Sequence, residues 1–141
     1  MGASAARSFV RSLTNDFGQL AEAAREIRAH LDECGVAEEL VHAVDLALEE
    51  LVGNTIRHGC TPGRAHHIRL AVAVDTRAVR VTLRDDGRPF DPTRAPEPMP
   101  PSTVADTPIG GRGILMVRRL IDDMRYRRED GENVLELALP R

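Results

Sequence analysis

Glu50 and Asn54 stand four residues apart in a segment patterned as a helix, so both project from one face, one turn apart. A carboxylate and an amide oxygen so placed can serve as a general base and as a ligand to a hard cation, because Mg²⁺ prefers oxygen donors and keeps several waters. Ala43 and Ala47 continue the same strip beside the main apolar stripe, small enough to let a ligand come close. The spacing equally describes an exposed polar edge of an amphipathic helix. Further on, Arg84-Asp85-Asp86-Gly87 ends a strand-like run. A carboxylate at a strand end can accept a hydrogen bond from an exocyclic amine, and a glycine two residues on lets the backbone approach the same ligand. A plain Asp-Gly turn uses the same residues. Gly110-Gly111-Arg112-Gly113 precedes a third helical pattern. Unpaired amides at a glycine-rich helix start suit a polyphosphate, and a hinge capping the helix is the competing reading. No Lys-Ser/Thr follows, as a Walker A loop requires, and the spacing is not that of a dinucleotide fingerprint.

The elements that must position these residues follow from periodicity. Ser8 to Leu13 alternates like a short strand. Thr14 or Asn15 is expected to cap a helix from about Asp16 to Glu33, built on Leu20, Ala24, Ile27 and Leu31 and ended by Gly35. A second helix is expected from about Ala37 to His58, with Leu40, Val44, Leu48, Leu51 and Val52 as its apolar stripe. Ile68–Val74 and Val79–Arg84 form a hairpin across Asp75-Thr76-Arg77. Pro89 to Gly111 holds seven of the nine prolines and no periodicity, which makes residues 89–110 a lid-like loop. A helix over Ile114–Ile121 follows. A hairpin of Met124–Arg127 and Val134–Leu139 around Asp130-Gly131 then closes the chain. The order predicts an α+β two-layer sandwich, a mixed but mainly antiparallel sheet with helices on one face.

Composition narrows the function. A chain of 141 residues suits one domain, residues 1–141, with 1–7 as a tail. A net charge of −3 and 3% aromatic residues argue against nucleic-acid binding. No apolar run approaches the roughly 18–20 residues of a membrane span, and Met1–Arg7 lacks the apolar stretch of a secretory signal. Cys34 and Cys60 make no disulfide framework, so a cytoplasmic protein with free, buried thiols is expected. His30, His42, His66 and His67 lack metal-ligand spacing and read as exposed histidines. Arg118, Arg119, Arg125, Arg127 and Arg128 read as a solvated face, and Glu49 as solvent-facing.

Taken together, the three clusters, in this order and with a long lid before the last, resemble the Bergerat-type ATP-binding fold of histidine kinases, type II topoisomerases and mismatch-repair ATPases. Within that group LALEELVGNTIRHG, LRDDGRPFDP and GGRGILMVRRLIDDMRY are similar to the bacterial anti-sigma factor serine kinases of partner-switching systems. The similarity runs from about Ser8 to Pro140.

The resemblance implies roles position by position. Glu50 would be the general base toward the phosphoryl acceptor, and Asn54 the ligand of a Mg²⁺ bridging the ATP phosphates. Asp85 would bind the adenine amino group, with Gly87 permitting close approach. Gly111, Arg112 and Gly113 would meet the phosphates, and Asn133 falls near a threonine that commonly supports adenine. His58 and Gly59 match the end of the family's N box and receive no chemical role. Two positions depart from the pattern: Pro89 replaces the second glycine of the G1 box, and Ile109 replaces a lid arginine for which Arg112 is the substitute. The implied activity is phosphorylation of a serine or threonine on an anti-sigma-antagonist (STAS-type) protein. A sigma factor is the second candidate partner, and a homodimer the implied assembly. The departures keep open a module that binds nucleotide and a partner without transferring phosphate. A regulatory domain of a larger phosphatase-type response protein is the third reading.

Overall fold

In a computed structural model of the chain, residues 6–94 and 123–141 are described. Five strands make one sheet: β1 (Arg7–Thr14), β2 (His67–Val74), β3 (Ala78–Asp85), β4 (Asp123–Glu129) and β5 (Glu132–Pro140). Their spatial order is β1-β2-β3-β5-β4, and every pair is antiparallel. The expected α+β sandwich is therefore present, with no parallel pair among the described strands.

Helices α1 (Phe17–Glu33) and α2 (Glu38–Asn54) cover one face. Alternation in the strands explains which one. Ile68, Leu70, Val72 and Val74 of β2 and Leu135, Leu137 and Leu139 of β5 join Ile27, Leu31, Val44, Leu48 and Val52 of the helices in one core. Ala43 and Ala47 belong to that core, at 4% and 1% exposure. They are packed under the helix and present no open strip to a ligand, because the sheet fills the space their small side chains leave.

Helix ends differ from the expectation in three places. The α1 N-cap is Asp16, whose carboxylate accepts from the Gly18 N–H at 2.6 Å. Asn15 is engaged elsewhere: it accepts from the His66 N–H and donates to the Arg64 carbonyl, tying the β1–α1 junction to the segment before β2. At the other end Gly35, at φ 72°, closes a Schellman motif with Gly35 N–H on Asp32 and Val36 N–H on Leu31. The second helix begins at Glu38, one residue after the predicted start, with Glu38 and Glu39 at its positive end. It also stops short of His58. After Asn54 the backbone widens into a π turn over Thr55–Gly59, and the Thr55 hydroxyl donates to the Leu51 carbonyl, competing with the α-helical ladder.

The two hairpins fall where expected. Asp75 Oδ1 accepts from the N–H groups of Arg77 and Ala78, and Asp130 (φ 52°) with Gly131 (φ 77°) supplies the left-handed pair of a two-residue turn. The predicted helix Ile114–Ile121 lies outside the described residues.

Candidate functional site

Strand register decides what meets at the sheet's end. Asp85 closes β3 and faces Asn133 of β5, which in turn faces Arg128 of β4. Asp85 and Asn133 are both buried, at 4% and 6% exposure. Asp85 Oδ1 accepts from the Gly87 N–H and from Asn133 Nδ2, each at 3.0 Å. Burial pushes the Asp85 carboxyl above the ordinary carboxylate range, while the hydrogen bonds from Asn133 and Gly87 hold it down. The second Asn133 amide hydrogen goes to the Arg88 carbonyl at 2.7 Å. Its oxygen accepts from the Tyr126 hydroxyl at 2.6 Å, Arg128 Nη1 at 3.2 Å and the Phe90 N–H at 3.3 Å.

The turn after β3 is pinned to the end of the α2 extension. The Arg88 N–H donates to the Gly59 carbonyl at 2.8 Å, and its guanidinium donates to the His58 carbonyl. Gly87 is where the two segments are closest, since a Cβ there would stand 2.5 Å from the Gly59 oxygen. Glycine is required by this approach. Asn54, at the end of α2, lines the same cavity as Asp85, Asn133, Arg88, Phe90 and Tyr126. That cavity holds about 20 Å³, room for about one water. A nucleotide is larger than this space.

Glu50 sits one turn before Asn54 on α2 and is not part of the cavity wall. Its Oε2 is buried without a hydrogen-bond partner among the described residues. Burial first, and the neighbouring Glu49 charge second, push its carboxyl above the usual value, with Arg57 opposing. The Asn54 amide also makes no side-chain hydrogen bond among the described residues, so its oxygen is free for a cation. No cluster of three or more His, Cys, Asp or Glu side chains suited to a metal occurs among the described residues. A cation here would rely on Asn54 and on oxygens brought by a ligand.

The structure thus brings Asn54, Asp85, Gly87 and Asn133 to one place with Glu50 adjacent. Gly111, Arg112 and Gly113, and Ile109 before them, lie outside the described residues. Sequence spacing missed the residues supplied across strands. Arg128, read as part of a solvated face, instead donates to the Gly87 carbonyl at 2.8 Å as well as to Asn133. His66, read as exposed, is buried at 5%. Its Nε2 accepts from the Thr61 N–H, so the ring is the Nδ1–H tautomer and donates to Asp86 Oδ1 at 2.9 Å. Cys60 is buried, whereas Cys34 is half-exposed with its Sγ 3.8 Å from His30 Nε2. Position 133 in register with position 85 is the one signal that could have pointed to Arg128, once the hairpin around Asp130-Gly131 was counted out.

The family of histidine kinase-like ATPase domains matches residues 13–139. The chain belongs to that family. Among relatives of this ATPase-family domain, serine/threonine-protein kinase BtrW of Bordetella bronchiseptica is 33% identical over 93 residues, which cover 66% of each chain. The match thus spans just under two thirds of that relative. A crystal structure of the RsbU and RsbW domains of Rv1364c from Mycobacterium tuberculosis shares the fold, with a TM-score of 0.66 and 19% identity. That match covers 96% of this chain and 33% of the other. Both similarities agree with the histidine-kinase-like ATPase fold to which the motifs pointed. No helix among the described residues is long and apolar enough to cross a membrane.

Proposed function

We propose that this ATPase-family domain binds ATP with Mg²⁺ and transfers the γ-phosphoryl group to a serine or threonine of an anti-sigma-antagonist protein of STAS type. The observation that carries the reading is the pairing of Glu50, with a buried and unpartnered Oε2, with Asn54 one turn on at the cavity that Asp85 closes. The similarity to a serine/threonine-protein kinase supports transfer to a hydroxyl.

The donor set fits the metal. Mg²⁺ takes oxygen ligands, few of them from protein, and the unpartnered Asn54 amide offers one. When bound, it neutralises charge on the phosphates. Asp85 Oδ2, left without a hydrogen bond by the commitment of Oδ1, accepts the exocyclic amine of the base. Glu50 takes the acceptor hydroxyl's proton as the new oxygen–phosphorus bond forms and ADP leaves. Its raised proton affinity suits that task at neutral pH. Positioning and charge stabilisation carry the rest.

A second reading, a partner-binding module that holds nucleotide without transfer, is favoured by Pro89. This residue stands between Arg88 and Phe90, whose backbones are tied to Gly59 and Asn133, and stiffens the cavity's wall. Calorimetric titration with ADP and ATP, each with and without Mg²⁺, on the wild type and Asp85→Asn tests binding. Magnesium-dependent affinity that falls sharply in the variant is expected. Phosphate transfer to a candidate antagonist, abolished in Glu50→Ala, then separates kinase from module. Absence of nucleotide binding by the wild type overturns both readings.

A further inference from the structure

The Asn133 amide has its orientation settled by chemistry alone. Its oxygen faces three donors and its nitrogen faces two acceptors, so a flipped amide would oppose four of the five, the Tyr126 hydroxyl alone being able to accept in place of donating. Both amide hydrogens are committed to Asp85 and Arg88, which leaves none for a ligand. Asn133 therefore acts on the site through Asp85. What holds Asn133 comes from β4: Tyr126 and Arg128 lie two residues apart, on the same side of the strand, and converge on one oxygen. Arg128 also grips the Gly87 carbonyl, so the same guanidinium fixes the turn whose N–H donates to Asp85 Oδ1.

We propose that Tyr126 and Arg128 are positioning residues for base recognition. By locking the Asn133 amide they commit Asp85 Oδ1 and leave Oδ2 as the single free acceptor, so the site selects a 6-amino purine nucleotide over its 6-oxo counterpart. This rests on the nucleotide-binding reading above. A carboxylate oxygen accepts from an exocyclic amine, but meets only lone pairs on a 6-oxo group, and a site built around one such bond rejects the wrong partner strongly. If Asn133 could turn, its amide nitrogen could serve the 6-oxo group, and the preference would shrink. The positive charge of Arg128 also helps keep the buried Asp85 ionised, the state in which it can only accept.

The test is calorimetric measurement of the ATP and inosine triphosphate dissociation constants, with Mg²⁺, on the full chain. Wild type, Tyr126→Phe, Arg128→Met and Arg128→Lys are compared. Wild type is expected to favour ATP by about 100-fold or more. Tyr126→Phe and Arg128→Met should each cut that ratio about tenfold, chiefly through weaker ATP binding, with Arg128→Lys between them and wild type. If Arg128→Met fails to fold, Tyr126→Phe decides, since it removes a hydroxyl and keeps the ring. Equal weakening of both nucleotides at an unchanged ratio means a merely structural role and overturns the inference, while nucleotide binding stands. So does a wild type that binds both equally. A wild type that binds neither overturns the nucleotide reading along with it.

Discussion

Replacing Glu50 with glutamine should make the chain more stable and, at the same time, inactive in transfer. The stabilising half follows from the charge: Oε2 is buried without a partner, and an unpaired buried charge costs more than the neutral amide that replaces it. A buried polar group left unpaired costs roughly 1–3 kcal/mol. Glu50 is only half-buried and Arg57 opposes the shift, which places the cost of its charge at the low end, about 1 kcal/mol. In a chain of this length that is roughly 4 °C in Tm. The sign with pH is fixed by linkage. The folded-state carboxyl titrates above the unfolded one, so its contribution to stability is complete below the unfolded value and is lost as pH rises through the folded value. The glutamine variant has no proton to lose. Its advantage should be absent at the acid end and grow as pH rises through the folded-state value. Urea unfolding of both proteins at pH 4, 6 and 8 measures it. The same substitution removes the proposed proton acceptor, and phosphate transfer to an antagonist should fall about 10²- to 10⁴-fold with ATP affinity unchanged. A variant no more stable than wild type at pH 8 would refute the burial argument. Transfer retained within about tenfold would refute the assignment of Glu50 as base.

Three further outcomes are expected. Gly87→Ala places a Cβ 2.5 Å from the Gly59 carbonyl, backbone against turn, and should cost about 1–3 kcal/mol in urea unfolding along with most nucleotide affinity. Asn54→Ala should leave the metal-free affinity for ADP intact and reduce the affinity with Mg²⁺ to nearly the same value, as read by paired titrations. His66→Ala strips the Thr61 N–H and one Asp86 oxygen of a partner under a buried ring, and should destabilise by about 2–4 kcal/mol in the same unfolding assay.

Much of the arrangement was readable from local pattern because local pattern is what fixes it. The i,i+4 spacing of Glu50 and Asn54, the Gly35 helix end, and the Asp75 and Asp130-Gly131 turns each depend on residues close in sequence, and each stands as expected. The errors arise where distant segments compete for a side chain. Asn15 is a good cap in isolation, yet His66 and Arg64, some fifty residues on, claim it, and Asp16 caps instead. Ala43 and Ala47 read as an open strip only until the sheet is laid beneath them. His66 and Arg128 look like surface residues because their partners, Asp86 and Asn133 among them, are brought near by strand pairing. Of these pairings, spacing along the chain records only that of Arg128 with Asn133, through the turn at Asp130-Gly131.

One physical effect acts on both acidic residues of the candidate site, with different outcomes. Burial raises the proton affinity of both Glu50 and Asp85. At Asp85 it is countered by two hydrogen bonds to Oδ1 and by the nearby Arg128 charge, which favour the ionised form and leave an acceptor for a ligand's amine. At Glu50 only Arg57 counters it, Glu49 adds to it, and Oε2 has no donor, so the carboxylate is left as a base in want of a proton. Under the proposed function, partnering rather than burial divides recognition from proton transfer. Supplying Glu50 with a donor should accordingly cost transfer without touching affinity, whereas withdrawing the donors from Asp85 should cost affinity first.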